Sequence, residues 1–172
     1  MSSQLSQPTL QQRLMIMTVI WFALIMGVVT FGVIVVFTGI QQKPGDGLPI
    51  ITYVGMGMAA LMLVLRLIIP DIVARNLFRQ AMATAKAEGN QDEDQVLGTY
   101  YQIFTTRLII GMALLEGAAM LNLVAVLIEN QQLAFVPVAI LLLVMIASVP
   151  TKSKLDGWIR HQMENYSLEN QN

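Results

Sequence analysis

A chain of 172 residues with a formal net charge of -1 carries no positive excess for binding nucleic acid. Hydrophobic residues make up 55% of it and charged ones only 12%, against about 25% charged in an average soluble domain, and the apolar residues gather in long runs, as in a polytopic membrane protein. With no cysteine and one histidine, His161, disulfides, thiol nucleophiles, zinc–thiolate centres and multi-histidine metal sites within one chain are excluded.

Residues 1–13 are polar, rich in Gln and Ser, and are expected to be a disordered cytoplasmic tail. They lack the basic start of a signal peptide, and the apolar run that follows is too long for one, so 14–40 is expected to be a retained transmembrane helix. Gln41 to Gly47 (QQKPGDG) reads as a turn. The second span is expected over 50–69, with Pro49 at its start and Pro70 as its end or as a sharp bend. Gly55, Gly57, Ala59 and Ala60 make a small-residue segment in it, suited to close helix packing.

Residues 71–106 form the one sizeable polar segment, expected as a cytoplasmic helical hairpin. Ile72, Leu77 and Met82 can share one side of its first arm, with Arg75, Arg79 and Lys86 on or near the other. The acidic stretch 89–95 breaks the pattern, and 96–106 resumes as helix into the third span. That span is expected over 108–128, followed by a polar turn and a short fourth span over 133–149, ended by Pro150. Residues 150–172 form a polar tail in which Leu155, Trp158, Ile159 and Met163 can make a brief interfacial helix.

The fold expected is therefore all-α: a single domain over 14–149, with four transmembrane helices in two hairpins packed as a left-handed bundle and with cytoplasmic amphipathic helices. A faint internal echo aligns Arg13-Leu14-Met15-Ile16 with Arg107-Leu108-Ile109-Ile110, as a duplicated hairpin would; chance similarity between apolar helices is the rival explanation. Nine of the ten Lys and Arg residues fall on the side of the two termini, leaving Lys43 on the other. The positive-inside rule then places both termini in the cytoplasm of an inner or plasma membrane.

The third span carries Glu116 near its middle and Asn122 further along. An ionisable group there costs about 2.5–3.5 kcal/mol on insertion scales, so a partner, a proton or a wet path must offset it. Residues 105–120, TTRLIIGMALLEGAAM, resemble the ion-carrying helix of the ATP synthase c subunit, the proteolipid. That local resemblance implies Glu116 as the carboxylate that takes up and releases a proton or sodium ion. The family's repeated partner-helix glycines have only Gly55 and Gly57 as counterparts, and its short polar loop is replaced by a long segment. The alternative is a structural ion pair. Arg66 lies near the cytoplasmic end of the second span, roughly 7 Å from Glu116 in depth at a rise of 1.5 Å per residue. Asn122 lies about 120° round the helix and is expected to serve a separate helix–helix contact.

Nothing else in the sequence carries chemistry. The methionines read as packing, Asp92-Glu93-Asp94 as a solvated turn without EF-hand spacing, and there is no phosphate loop, dinucleotide fingerprint or hydrolase motif. No cofactor, metal site or catalytic group is expected. The expected partners are the lipid bilayer and either further copies of the chain or other subunits of a membrane complex. The function expected is that of a small accessory or scaffold subunit, the alternative being a proton- or ion-handling component centred on Glu116.

Overall fold

The computed structural model describes residues 10–39, 48–88 and 93–169, and everything regular in them is helical. The polar stretch before Leu10, the turn at 41–47 and residues 89–92 lie outside the described residues, while 93–95 of the expected acidic break open a helix. Five helices follow one another: α1 (Leu10–Gly39), α2 (Ile50–Glu88), α3 (Glu93–Glu129), α4 (Phe135–Ala147) and α5 (Lys152–Glu169), with a single 3-10 turn, Gln132–Ala134, leading into α4.

α3 is the centre of the molecule. Half of its most apolar window is buried, against 17% for α1 and 11% for α2. α1, α2 and α4 all pack on it. The residues that meet show the directions. Gly27 and Gly32 of α1 face Glu116 and Leu123, so α1 runs parallel to α3. Gly55 and Pro70 of α2 face Asn122 and Gly111, so α2 runs antiparallel. The expected arrangement of two separate hairpins is thus replaced by a central helix with the others around it. α1 packs against α3 and α4 rather than alongside α2. The physical reason lies in the inward faces of α3: Gly111, Ala118, Ala119 and Ala125 are small and buried, and without a hydrophobic force between helices in lipid, small residues decide which backbones approach.

Pro70 does not end α2, which continues to Glu88. Proline inside a helix removes one backbone hydrogen bond and costs about 3 kcal/mol. Here the ring is buried against α3 at Gly111. One residue later Asp71 accepts a hydrogen bond from Arg107 Nε at 2.6 Å, closing the two helices together just past the proline. Beyond this ion pair the two arms share a small core of their own: Ala74, Phe78, Tyr100 and Ile103 are buried, and the Phe78 and Tyr100 rings stack with centroids 5.1 Å apart. The segments expected as separate amphipathic helices are therefore continuations of α2 and α3, and the second and third helices overrun their expected limits at 69 and 108.

At its other end α3 stops at Asn130, whose φ of 50° is left-handed and whose N–H bonds Val126 O at 2.8 Å. Asparagine tolerates that conformation and satisfies a terminal carbonyl. α4 has 13 residues, a length of about 20 Å at 1.5 Å per residue, shorter than a hydrocarbon core of about 30 Å. The chain then bends by 81° into α5. α1, α2 and α3 are long and apolar enough to cross a membrane, and the count rises to four when the bent α4–α5 pair is taken as one span. Large apolar side chains such as Phe37, Leu67 and Leu143 point outward from these helices, as in a transmembrane helical protein.

α5 crosses the end of the bundle. Leu155 is fully buried with Met17 and Phe104, and Trp158 tilts against Phe104 at 5.7 Å. The tail helix expected to be brief and interfacial is thus long, and its apolar side is spent on α1 and α3.

The hairpin core generates a prediction. Phe78→Ala removes a buried aromatic, a change that costs about 3–5 kcal/mol in a packed core. Limited proteolysis should then cut within 71–107 while the apolar helices stay protected; equal protection of both variants would show that the extended arms do not depend on this stack.

Candidate functional site

Polar contacts from side chains hold the apolar helices together, and most of them satisfy a backbone group or a helix end. The most enclosed is at Asn122, a fully buried residue. Its Nδ2 donates to Gly55 O on α2 at 2.9 Å and to Ala118 O one turn back at 2.8 Å. Oδ1 is buried without a hydrogen bond. Gly55 is required by distance. A Cβ there would stand 2.9 Å from Asn122 Oδ1 and 3.2 Å from Cγ, closer than packed atoms tolerate.

At the same end of α3, Glu129 caps α2. Ile51 N donates to its Oε1 at 2.7 Å and Thr52 N to its Oε2 at 2.8 Å. The first amides of a helix have no partner within it, and a carboxylate opposite them also meets the positive end of the helix dipole. Nothing in the sequence around Glu129 marks it as this cap, since the two partners are joined only by the fold.

The opposite end gathers Arg66, Ser148, Trp21 and Lys154. Arg66 Nη2 donates to Ser148 Oγ at the end of α4, and Ser148 Oγ donates in turn to Val144 O. Trp21 Nε1 donates to Met145 O at 2.8 Å, joining α1 to α4. Lys154 Nζ donates to Ala147 O at 2.9 Å and Val149 O at 3.2 Å, which satisfies the carbonyls freed where α4 stops. Arg66 Nη1 is buried and makes no hydrogen bond.

Glu116 stands apart from all of this. It faces α1, where a Cβ on Gly27 would lie 3.3 Å from Oε1. The glycine therefore leaves the room the carboxyl occupies. Glu116 is half-buried and sits at the rim of α3, next to the outward-facing Ala113 and Gly117. Across the seam, Ala23 and Thr30 of α1 also face outward. The structure does not bring Glu116 to Arg66. The arginine turns to α4 because its helix packs on the face of α3 that carries Gly111 and Asn122, whereas Glu116 is carried on the face that meets α1. The structural Arg66–Glu116 pair is thereby replaced by an Arg66–Ser148 bond. Nor does Glu116 face the glycines of α2; the small residue beside it is on α1.

Among the described residues no group of three or more His, Asp or Glu side chains comes together to hold a metal ion. The contacts of Trp21, Ser148, Glu129 and the Asp71–Arg107 pair carried no signal in the sequence beyond their polarity near a helix end. No known protein family, no curated protein and no solved structure matches this chain.

The two glycines of α2 give an internally controlled test. Gly55→Ala forces Asn122 aside and should destabilise the protein in detergent by about 1–3 kcal/mol, the usual cost of overpacking. Gly57→Ala meets nothing within 4 Å and should leave the melting temperature unchanged or slightly raised. Equal melting temperatures for the two variants would remove Asn122 from the α2–α3 contact.

Proposed function

We propose that this chain is an integral membrane protein of four spans with both termini in the cytoplasm, serving as a non-catalytic accessory or scaffold subunit of a larger membrane complex. The observation that carries the reading is the α2–α3 hairpin. Past Pro70, α2 runs on from 71 to 88, about 27 Å at 1.5 Å per residue. It is held to α3 by the Asp71–Arg107 pair and the Phe78–Tyr100 stack. Such a rod buries Ala74, Phe78, Tyr100 and Ile103 between its arms and leaves Ile72, Arg75, Asn76 and Gln80 among its outward residues, available for a protein partner. The distribution of Lys and Arg supports the orientation, with nine of ten on the hairpin's side. The four-span count takes the bent α4–α5 pair as one span.

Isolated from native membranes in a mild detergent, the chain should elute in an assembly well above its own 19.0 kDa, with a second protein at fixed stoichiometry. Arg75→Glu with Gln80→Arg should release that protein while leaving the melting temperature intact. Elution as a monomer or a simple homo-oligomer under every mild condition would dismiss the scaffold role.

A second reading, proton or ion handling at Glu116, is favoured by one observation: the carboxyl has no hydrogen bond or ion pair among the described residues, and it stands at an outward-facing rim. The local resemblance of 105–120 to the proteolipid helix points the same way. Under this reading a membrane-soluble carbodiimide labels Glu116 at neutral pH and not Gln in Glu116→Gln. Because Arg66 is engaged with Ser148, Arg66→Leu should leave the labelling unchanged. Labelling that emerges only in Arg66→Leu would restore the ion pair and end the ion-handling reading.

A further inference from the structure

We infer that the seam between α1 and α3 at Glu116 is the docking surface for a transmembrane helix of a different protein, one that carries a Lys, Arg or His side chain at the depth of Glu116. The inference rests on the reading of the chain as a subunit of a membrane complex and names which face of it the partner occupies.

Charge complementarity carries the inference. The other acidic and basic side chains and the amide described along the apolar part of these helices each make at least one hydrogen bond within the chain, although Arg66 Nη1 and Asn122 Oδ1 are left without one. Arg66 has Ser148, Asn122 has the Gly55 carbonyl, and Glu129 has the α2 amides. Of the acidic and basic groups there, Glu116 has neither a hydrogen bond nor an ion pair among the described residues, and it is positioned where a neighbour can reach it. An acid in that setting is costly to an isolated chain and is met, in membrane proteins, by a polar group on the bundle side of a helix. The groove is shaped for a helix. Ala23, Gly27 and Thr30 fall on one face of α1 at steps of four and three. Ala113 and Gly117 fall on one face of α3, and a Cβ on Gly117 would meet nothing within 4 Å. A third backbone can therefore come close enough to bring its side chain to the carboxyl. A second copy of this chain is not the occupant, because its own intramembrane cation, Arg66, is already turned to Ser148.

The test uses the full-length chain in its native membrane, with the photoreactive residue benzoylphenylalanine replacing Ala113, and in a control replacing Leu67, which is 73% exposed on the far side of α2. Irradiation at Ala113 should give one adduct with another protein. The linked peptide, sequenced by mass spectrometry, should lie in an apolar span with a basic residue within one turn of the linkage. Glu116→Leu should lower that adduct about tenfold, a loss of ~1.4 kcal/mol in association. Glu116→Lys should lower it as well, and exchange of the partner's basic residue for Glu should restore it; restoration by charge exchange separates a docking contact from a folding defect. Linkage to a second copy, to lipid alone, to a span without a basic residue, or linkage indifferent to Glu116→Leu would each overturn the inference. If the chain still elutes in its assembly in any of those cases, the scaffold reading survives and only the location of the contact falls; a monomeric chain would remove both.

Discussion

The amide of Asn122 against the carbonyl of Gly55 sets how closely α2 lies on α3, and the rest of the molecule is placed by α3. A buried amide leaves few ways to satisfy its donors, and a backbone carbonyl on a neighbouring helix is reachable only where that helix has no side chain in the way. Gly55 supplies the opening. Once the two backbones are this near, Pro70 comes to rest at Gly111, Asp71 comes within reach of Arg107, and Phe78 meets Tyr100. One close approach near one end of the hairpin thus fixes the register along its whole length.

The same logic governs the ends of the apolar helices. Helix ends expose amides and carbonyls, and in an apolar setting each must find a partner. Glu129 serves α2, Lys154 serves α4, and Trp21 takes a carbonyl near the end of α4. These contacts come from different helices in every case, so they bind the bundle as well as finish its parts. α5 follows from them: with Pro150 preventing continuation and Lys154 turned back onto the carbonyls of α4, the chain leaves at a steep angle and lays Leu155 and Trp158 onto α1 and α3.

Against that pattern of internal satisfaction Glu116 is the exception. It is placed beside a glycine that makes room for it and next to small residues that leave it approachable. A structural acid would have been answered by Arg66, which lies at a suitable depth but on the wrong face. The docking and ion-handling proposals differ in what completes the carboxyl, a cationic side chain or a proton, and both use the α1–α3 seam; the scaffold reading rests on the α2–α3 hairpin instead.

The sequence by itself determined the all-helical character, the apolar helices, the polar helical stretch over 71–106, and the standing of Glu116, Asn122 and Arg66 as the unusual residues of an apolar chain. These follow from local rules: hydropathy over twenty residues, breakers between runs, and the cost of polar groups in hydrocarbon. Only the tertiary structure decided that α2 continues past Pro70, where Asp71 bonds Arg107 and Phe78 stacks on Tyr100, partners that lie on another helix. It alone decided that α3 is central, that Arg66 bonds Ser148 instead of Glu116, and that Glu129 caps α2. Depth along a helix can be counted from sequence, whereas the face that meets a neighbour is set by which small residues let two backbones approach, and that is a property of pairs of helices.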